Sequence, residues 1–496
     1  MKRLLWIGSL AAFVLLSSVA TTGRTAETAS KPNILFILCD DLGIHDLHCY
    51  GRQDHHTPNL DRLAEQGMRF TSAYCAQPIC SASRAAILTG KTPARLHLTT
   101  YLPGRPDAVS QKVLHPEIEM QVPLQEKMIC DYLKDAGYAT AAIGKWHVGG
   151  RGFGPKEHGF DLYHPGRANT KPSATEGGKG EYDLTAAAEA FIEAHRDGPF
   201  FVYLAHNTPH IPYDAQRPRI DNNAGAFEPI YAGVIETLDD SVGRLMAKLD
   251  SLKLADKTIV VFTSDNGGLH VPEGPHPKIT HNTPYRAGKG FVYQGGLRIP
   301  LIVRWPGRVP AGKVTDEPIV NTDWVPTLLD LAGQPVPAGL DGVSDAALLT
   351  GRGPAPARQF FWHFPHYTNQ GSRPGGAVRD GDWMMVDYYD EENVELYDLR
   401  KDICEAQDLA KSQPERVNRM LAALATWRKE VHAQGNTPNP DFDPAKFRRL
   451  YKDVDPSRFE PKDADRAQWE AMWEWRKEMN AVVARPGPGK KGPKTK

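Results

Sequence analysis

Three carboxylates and an amide stand just past two apolar runs. Asp40-Asp41-Leu42-Gly43 follows the run from Asn33 to Leu38, and Ser264-Asp265-Asn266-Gly267-Gly268 follows the run from Thr258 to Thr263. Hard oxygen donors at the C-terminal ends of strands lie where open α/β sheets place their sites. Brought together, Asp40, Asp41 and Asp265 repel one another unless a cation holds them. Oxygen-only ligation, with Asn266 completing the set, suits Ca2+ or Mg2+ over zinc. Taken singly, either motif also reads as a turn, because Asp, Asn and Gly dominate such positions.

Basic groups follow three further segments. Lys145 and His147 stand in Gly144-Lys145-Trp146-His147 after the run Ala139 to Ile143; His206 and His210 follow the run Phe200 to Ala205; Lys289 lies between Gly288 and Gly290. Lysines neutralise anionic oxygens in a water-poor pocket, and histidines move protons near neutrality. A lone loop Lys or His is more commonly a solvated surface group. Cys80 opens the run Cys80-Ser81-Ala82-Ser83-Arg84-Ala85-Ala86-Ile87-Leu88-Thr89-Gly90. By itself a cysteine at a helix start is most often a small apolar packing residue.

In order and local wording these motifs resemble the type I sulfatases, a branch of the alkaline phosphatase superfamily. The resemblance spans roughly Pro32 to Ala410 and includes Thr57-Pro58-Asn59-Leu60-Asp61, Pro209-His210 and Leu396-Tyr397-Asp398-Leu399. It implies that Cys80 is oxidised to formylglycine, whose hydrate carries two hydroxyls: one attacks sulfur, and the other expels sulfate by regenerating the carbonyl. It further implies that Asp40, Asp41, Asp265, Asn266 and modified Cys80 bind one Ca2+ or Mg2+. Arg84 would hold the hydrate, Lys145 and Lys289 would contact sulfate oxygens, His210 with Lys289 would protonate the leaving alkoxide, and His147 would act as base. Ala82 stands where the family's Cys-x-Pro-x-Arg run has proline. That departure suggests a radical-SAM maturase and a bacterial source, and oxidation of the unfolded chain before export.

The elements that must position these residues alternate between strand-length apolar runs, including Leu301 to Trp305, and helical patterns. The expected helices include Pro58 to Gln66, with Thr57 as cap, and Tyr231 to Leu252. This predicts an α/β fold with a large, mostly parallel sheet between helices. After about residue 355, the strands Gln359 to Phe364, Trp383 to Tyr388 and Glu395 to Leu399 predict a smaller antiparallel unit, closed by a helix over Pro414 to Gln434. Pro438 to Pro456 reads as an extended linker. Asp463 to Val483 reads as a helix with Trp469, Met472, Trp473 and Met479 along one side. The expected divisions are a signal peptide at 1–20, a catalytic region at 32–355, a sheet and helix subdomain at 356–434, an extension at 435–484 and a disordered basic tail at 485–496.

With 59 Lys plus Arg against 60 Asp plus Glu in 496 residues, no global field favours nucleic acid or an anionic membrane. Met1-Lys2-Arg3, the apolar stretch Leu4 to Val19 and Ser18-Val19-Ala20 read as a cleaved secretory signal, which predicts a periplasmic or secreted protein without a membrane anchor. Export permits disulfides, and Cys49 with Cys75 is a candidate pair. His45 and His48, the Thr92 to Gln121 stretch with His97, Tyr101 and Arg105, and the segment Trp362-His363-Phe364-Pro365-His366-Tyr367 are candidates for lining the pocket or selecting substrate; loop and core packing are their alternatives. The expected substrate is a sulfated small molecule or glycan. Two competing readings are a phosphodiesterase or phosphonate monoester hydrolase on the same scaffold, and a noncatalytic sulfoglycan-binding protein.

Overall fold

Residues 33–40 alternate their side chains between two apolar environments, and every one of them is buried. That marks the strand as central in a sheet covered on both faces. In the computed structural model, which describes residues 31–167 and 179–483, this strand is the middle of an eight-stranded sheet. The expected signal segment and basic tail lie outside the described residues.

The principal elements, in chain order, are β1 (Asn33–Asp40), α1 (Pro58–Gln66), β2 (Met68–Phe70), α2 (Cys80–Thr89), α3 (Ile129–Asp135), β3 (Ala139–Gly144), β4 (Leu162–Pro165), α4 (Glu181–Ala194), β5 (Phe200–Pro209), α5 (Pro229–Ser251), β6 (Thr258–Ser264), β7 (Leu301–Arg304), β8 (Lys313–Thr315) and α6 (Trp324–Leu331). The sheet order is β8-β2-β7-β6-β1-β5-β3-β4. Strand β1 runs parallel to β5 and β6, with Ile34 opposite Phe201 and Ile259. β7 runs antiparallel to β6. The chain leaves β6 at the site end of the sheet and loops there before β7, so it re-enters in the opposite direction.

Ile34, Phe36, Leu38, Phe201 and Tyr203 pack against Ala82 and Ala85 of α2, Leu133 of α3 and Val325 of α6. Leu35, Ile37, Val202 and Leu204 meet Leu60 and Leu63 of α1, Leu184 of α4 and Leu238 and Val242 of α5 on the other face. The expected start of α1 is observed, but Thr57 makes no side-chain cap. Its hydroxyl instead accepts the His48 N–H at 3.0 Å.

The antiparallel sheet consists of β9 (Gln359–Phe364), β10 (Gly375–Asp380), β11 (Trp383–Tyr388) and β12 (Asn393–Asp398), paired in that order. α7 (Pro414–Glu430) covers it, Met420 and Leu424 meeting Val378, Met385 and Leu396. Strand β10 was not anticipated, because its Gly-Gly start shows no apolar alternation. The linker expected over Pro438 to Pro456 is corrected: it contains α8 (Pro444–Tyr451). Asp443 caps that helix by accepting from the N–H groups of Ala445 and Lys446, and Pro444 occupies its first turn. α9 (Arg466–Val483) contributes Met472, Trp475 and Met479 to a cluster with Phe447, Leu450, Tyr451, Val271 and Tyr367. Trp475, rather than Trp469 or Trp473, is the fully packed indole of this helix. Cys49 and Cys75 are both free thiols, so the candidate disulfide is not formed.

Several histidines are buried as neutral rings. Burial pulls His206 and His270 down to about 4, and burial assisted by Arg428 pulls His363 down to about 3. In the unfolded chain each binds a proton below about pH 6.5, whereas the folded chain resists doing so. Stability is therefore whole above that pH and falls as acid is added toward pH 4, at roughly 1.4 kcal/mol per pH unit for each such ring. A melting temperature that holds steady between pH 7 and 4.5 would contradict this accounting.

Candidate active site

The site is built where β1, β3, β5 and β6 end. Asp41 takes a left-handed backbone, φ 67°, which aspartate tolerates through local hydrogen bonding. Its N–H donates to Asp265 Oδ1 at 3.1 Å, and the Leu42 N–H donates to Ser264 Oγ at 3.0 Å. The ends of β1 and β6 are thereby clipped together. Gly144 ends β3 at φ 100°, and a Cβ there would lie 1.9 Å from the Ala205 carbonyl oxygen, so only glycine brings Lys145 this close. The Lys145 N–H donates to that same oxygen at 2.8 Å.

Helix α2 starts at Cys80 and is buried along its whole length, which its alanines and serines permit. The thiol lies among the groups at the strand ends. Burial raises Cys80 above the ordinary thiol range, with Lys145 and Lys289 opposing and Asp40 and Asp265 adding to the rise. One helical turn on, Arg84 sits on the same face. Its Nε and Nη2 both lie 2.8 Å from Asp265 Oδ2, Nη1 donates to the Lys145 carbonyl at 3.2 Å, and Nη2 lies 3.6 Å from Asp40 Oδ1.

The remaining charges interlock. Lys145 Nζ donates to Asp40 Oδ2 at 2.6 Å, and Lys289 Nζ donates to Asp41 Oδ2 at 2.7 Å. Burial alone would raise Asp40, but Lys145, His210 and Arg84 hold its carboxyl well below the usual range. Asp265 behaves differently: burial pushes it up to about 7, and Asp40 and Asp41 add to the rise against the pull of Arg84. A third carboxylate that resists ionisation beside two others is what a bound cation relieves.

A divalent ion fits the side chains present. Potential ligand atoms of Asp40, Asp41, Cys80 and His210 lie within 4.8 Å of one another. Asp40 Oδ1 and Asn266 Oδ1 are buried without a hydrogen-bond partner, while Asn266 Nδ2 donates to Asp41 Oδ1 at 2.9 Å. Asp265 stands beside this group with one oxygen accepting from Asp41 and the other from Arg84. Carboxylate and amide oxygens are the donor set that hard cations take.

Both histidines have one committed nitrogen. His147 Nε2 lies 3.0 Å from the Leu102 carbonyl, which can only accept, so Nε2 carries the proton and the buried, unpartnered Nδ1 is the free base. Burial, then Lys145, pulls His147 down to about 3. His210 directs Nδ1 to the Ile211 carbonyl at 2.5 Å and Nε2 toward Asp41 Oδ2 at 3.7 Å. Burial, then Lys289, pulls it down to about 3 as well.

The ten site residues read from the sequence thus meet at one place, although the lysines engage carboxylates here. The other candidates divide. Tyr101 borders the site, because the next residue, Leu102, donates its N–H to Ser81 Oγ at 3.1 Å and accepts from His147. Arg105 binds Tyr451 and Met479 behind it. His45 packs edge-on to Tyr285, while His48 pairs with Asp61, and His97 bonds the His432 carbonyl, both at the surface. In the segment 362–367, Trp362 donates to the Cys75 carbonyl, His363 contacts Tyr389 and Gln434, and His366 meets Thr99; these are packing roles. Sequence reasoning missed Lys179, whose Nζ donates to the Ile211 carbonyl at 3.0 Å and whose field reaches Asp40 and Asp41. No local pattern around it stood out.

Comparison with known proteins agrees with this geometry. The sequence model of the sulfatase family matches residues 32–334. The chain belongs to the sulfatase family. Residues 287–430 also match the C-terminal region of N-sulphoglucosamine sulphohydrolase. Among relatives of this sulfatase, the N-acetylgalactosamine-6-sulfatase of Sus scrofa is 36% identical over 375 residues, covering 68% of this chain and 70% of that one. Arylsulfatase A of Homo sapiens is 35% identical over 398 residues, covering 71% and 74%. The solved structure of Ps i-CgsB in complex with k-i-k-neocarrahexaose superposes with a TM-score of 0.69 at 26% identity, covering 91% of this chain and 99% of that one. The sulfatase is accordingly a sulfuric ester hydrolase with a large mixed sheet and a small antiparallel one.

Arg84 is the counterion of two buried carboxylates. Arg84→Ala should destabilise the fold by about 3–5 kcal/mol in denaturant titration, because Asp265 and Asp40 lose their guanidinium. Turnover should vanish with it. Native stability in that variant would show that the cluster does not depend on this contact.

Proposed function

We propose that the enzyme hydrolyses sulfate esters on a carbohydrate, with a formylglycine derived from Cys80 and one bound Ca2+ or Mg2+. The observation that carries this reading is the placement of Cys80 at the start of a buried helix, facing both lysines and the carboxylate cluster. Relatives act, by name, on N-acetylgalactosamine 6-sulfate groups, and a structural neighbour holds a carrageenan oligosaccharide. Asp40, Asp41, Asn266 and Asp265 would hold the cation, which when bound supplies charge to polarise a sulfate oxygen. Oxidised residue 80 supplies the hydrated aldehyde as nucleophile.

The side chains of this protein do the rest. Lys145 and Lys289 are buried basic groups, and in those surroundings they stabilise developing negative charge far more than they would in solvent. The amides of the first turn of α2 add partial positive charge toward a bound anion. His147 takes a proton at Nδ1, its only free nitrogen. Lys289, kept charged by Asp41, holds a proton beside His210 Nε2, and this pair serves the leaving oxygen. Arg84 holds Asp265 and the Lys145 backbone, so the cluster keeps its shape as charge develops.

Ala82 favours maturation by a radical-SAM enzyme, and burial of Cys80 in the folded protein requires that step to act on unfolded chain. The N-terminal segment supports export to the periplasm or beyond, and no helix among the described residues is long and apolar enough to cross a membrane.

Cys80→Ala should abolish aryl sulfate turnover while leaving the melting temperature within a few degrees, since it removes one small side chain. Mass spectrometry of the tryptic peptide containing residue 80 should find the aldehyde in active protein. An unmodified thiol in fully active enzyme would end the formylglycine mechanism. Removal of divalent ions with EDTA should abolish turnover, and Ca2+ or Mg2+ should restore it; a rate indifferent to chelation would defeat the cation assignment. A preference for a bis-aryl phosphodiester over an aryl sulfate would favour the phosphorus reading.

A further inference from the structure

Both family matches end by residue 430, yet the chain continues through α8 and α9, and α9 packs back on Val271 and Pro272, shortly after Asp265 and Asn266. The contact is made through a tight turn at residues 273–276, where the backbones of Glu273 and His276 exchange hydrogen bonds at 3.1 Å. One side of this turn rests on the segment after His210. The His276 ring stacks on Tyr213 with centroids 3.9 Å apart, and a Cβ on Gly274 would lie 3.3 Å from Ile211. The other side is held by α9: Arg476 Nε donates to the Pro272 carbonyl at 3.0 Å, and its Nη2 lies 3.3 Å from Glu273 Oε1. A third anchor is Gln370, whose Nε2 donates to Glu273 Oε2 at 2.6 Å and whose Oε1 lies against Gly290, next to Lys289.

Glu273 therefore stands between the His210 and Lys289 segments, with its orientation fixed from two directions. Its side chain remains 18% exposed, while Arg476 beneath it is 4% exposed. An ionised carboxylate only accepts hydrogen bonds, and two fixed donors leave lone pairs free. An acceptor beside the His210 and Lys289 segments, its charge felt by Lys289, selects a neighbouring donor and repels a neighbouring anion.

We propose that Glu273 is a specificity-determining residue that accepts a hydrogen bond from a free sugar hydroxyl adjacent to the scissile sulfate ester, and that Arg476 of the C-terminal helix is the positioning residue that holds it there. The inference rests on the sulfated-carbohydrate reading above. It assigns the C-terminal extension a role in substrate choice, and it makes a vicinal disulfate a poor substrate.

The test compares kcat/KM for three substrates: a glycoside monosulfate with the neighbouring hydroxyl free, its deoxy analogue at that carbon, and the corresponding vicinal disulfate. The panel first identifies which ester position the wild-type enzyme cleaves. Wild type should prefer the hydroxyl over the deoxy substrate by about 10- to 100-fold, the range for a hydrogen bond to a charged group. Glu273→Gln should reduce that preference at least fivefold and raise relative turnover of the disulfate. Arg476→Lys keeps the charge but loses the forked contact to the Pro272 and Asn369 carbonyls. It should shift the same ratios in the same direction, mainly through KM. Ratios unchanged in Glu273→Gln, or an equal loss on all three substrates, would overturn the assignment. Absence of turnover on every sulfate ester by matured wild-type enzyme would instead overturn the functional reading, so the two failures are distinct.

Discussion

Three carboxylates and three basic side chains share one buried space, and the rest of the structure follows from keeping them there. Asp40, Asp41 and Asp265 have essentially no contact with solvent, nor has Arg84, while Lys145 and Lys289 are nearly as deep. Removing so many charges from water is costly, and only close pairing with satisfied hydrogen bonds offsets it. The parallel strands supply that closeness: β1 ends at Asp40 with Asp41 next, Lys145 follows β3 and Asp265 follows β6, while α2 adds Arg84 and the loop after β6 adds Lys289. The glycine at the end of β3 and the left-handed turn at Asp41 are the local distortions that bring backbone and charge within hydrogen-bond reach.

The same arrangement separates roles among chemically similar groups. Arg84 is forked across Asp265 and a backbone carbonyl and makes two contacts to one oxygen, a geometry that lysine cannot reproduce. Lys145 and Lys289 each touch one carboxylate through a flexible stem and can re-aim without loss of charge. Two histidines whose rings are each fixed by a carbonyl have their free nitrogens assigned before any substrate arrives. The scaffold thus sets proton direction as well as charge.

Much of this site was legible in the sequence because each of its parts is short, local and placed at the end of an apolar run. Asp40-Asp41, Lys145 with His147, His210 and Asp265-Asn266 each follow a strand whose burial is itself readable; singly each reads as a turn or surface group, and their joint occurrence in the family's order is what marks them. The rim was not legible. Glu273, Gln370 and Arg476 come from a turn, a loop and a helix, and each is unremarkable among its own neighbours. Asp443-Pro444 read as linker chemistry, although the same two residues cap and open a helix, and the packed face of α9 is centred on Trp475, two positions from the tryptophan that a simple stripe selects. Strand β10 was hidden by its glycines, since a strand whose first residues carry no side chain leaves no alternation to detect.

The turn that carries Glu273 is steadied by a helix near the end of the chain. The strands and α2 all precede α9 in the chain, and the contact that steadies the turn spans 204 positions, from Pro272 to Arg476. A contact across so long a loop carries a closure cost that α9 offsets through its own packing on Phe447, Leu450 and Tyr451, so loosening that packing would loosen the turn as well.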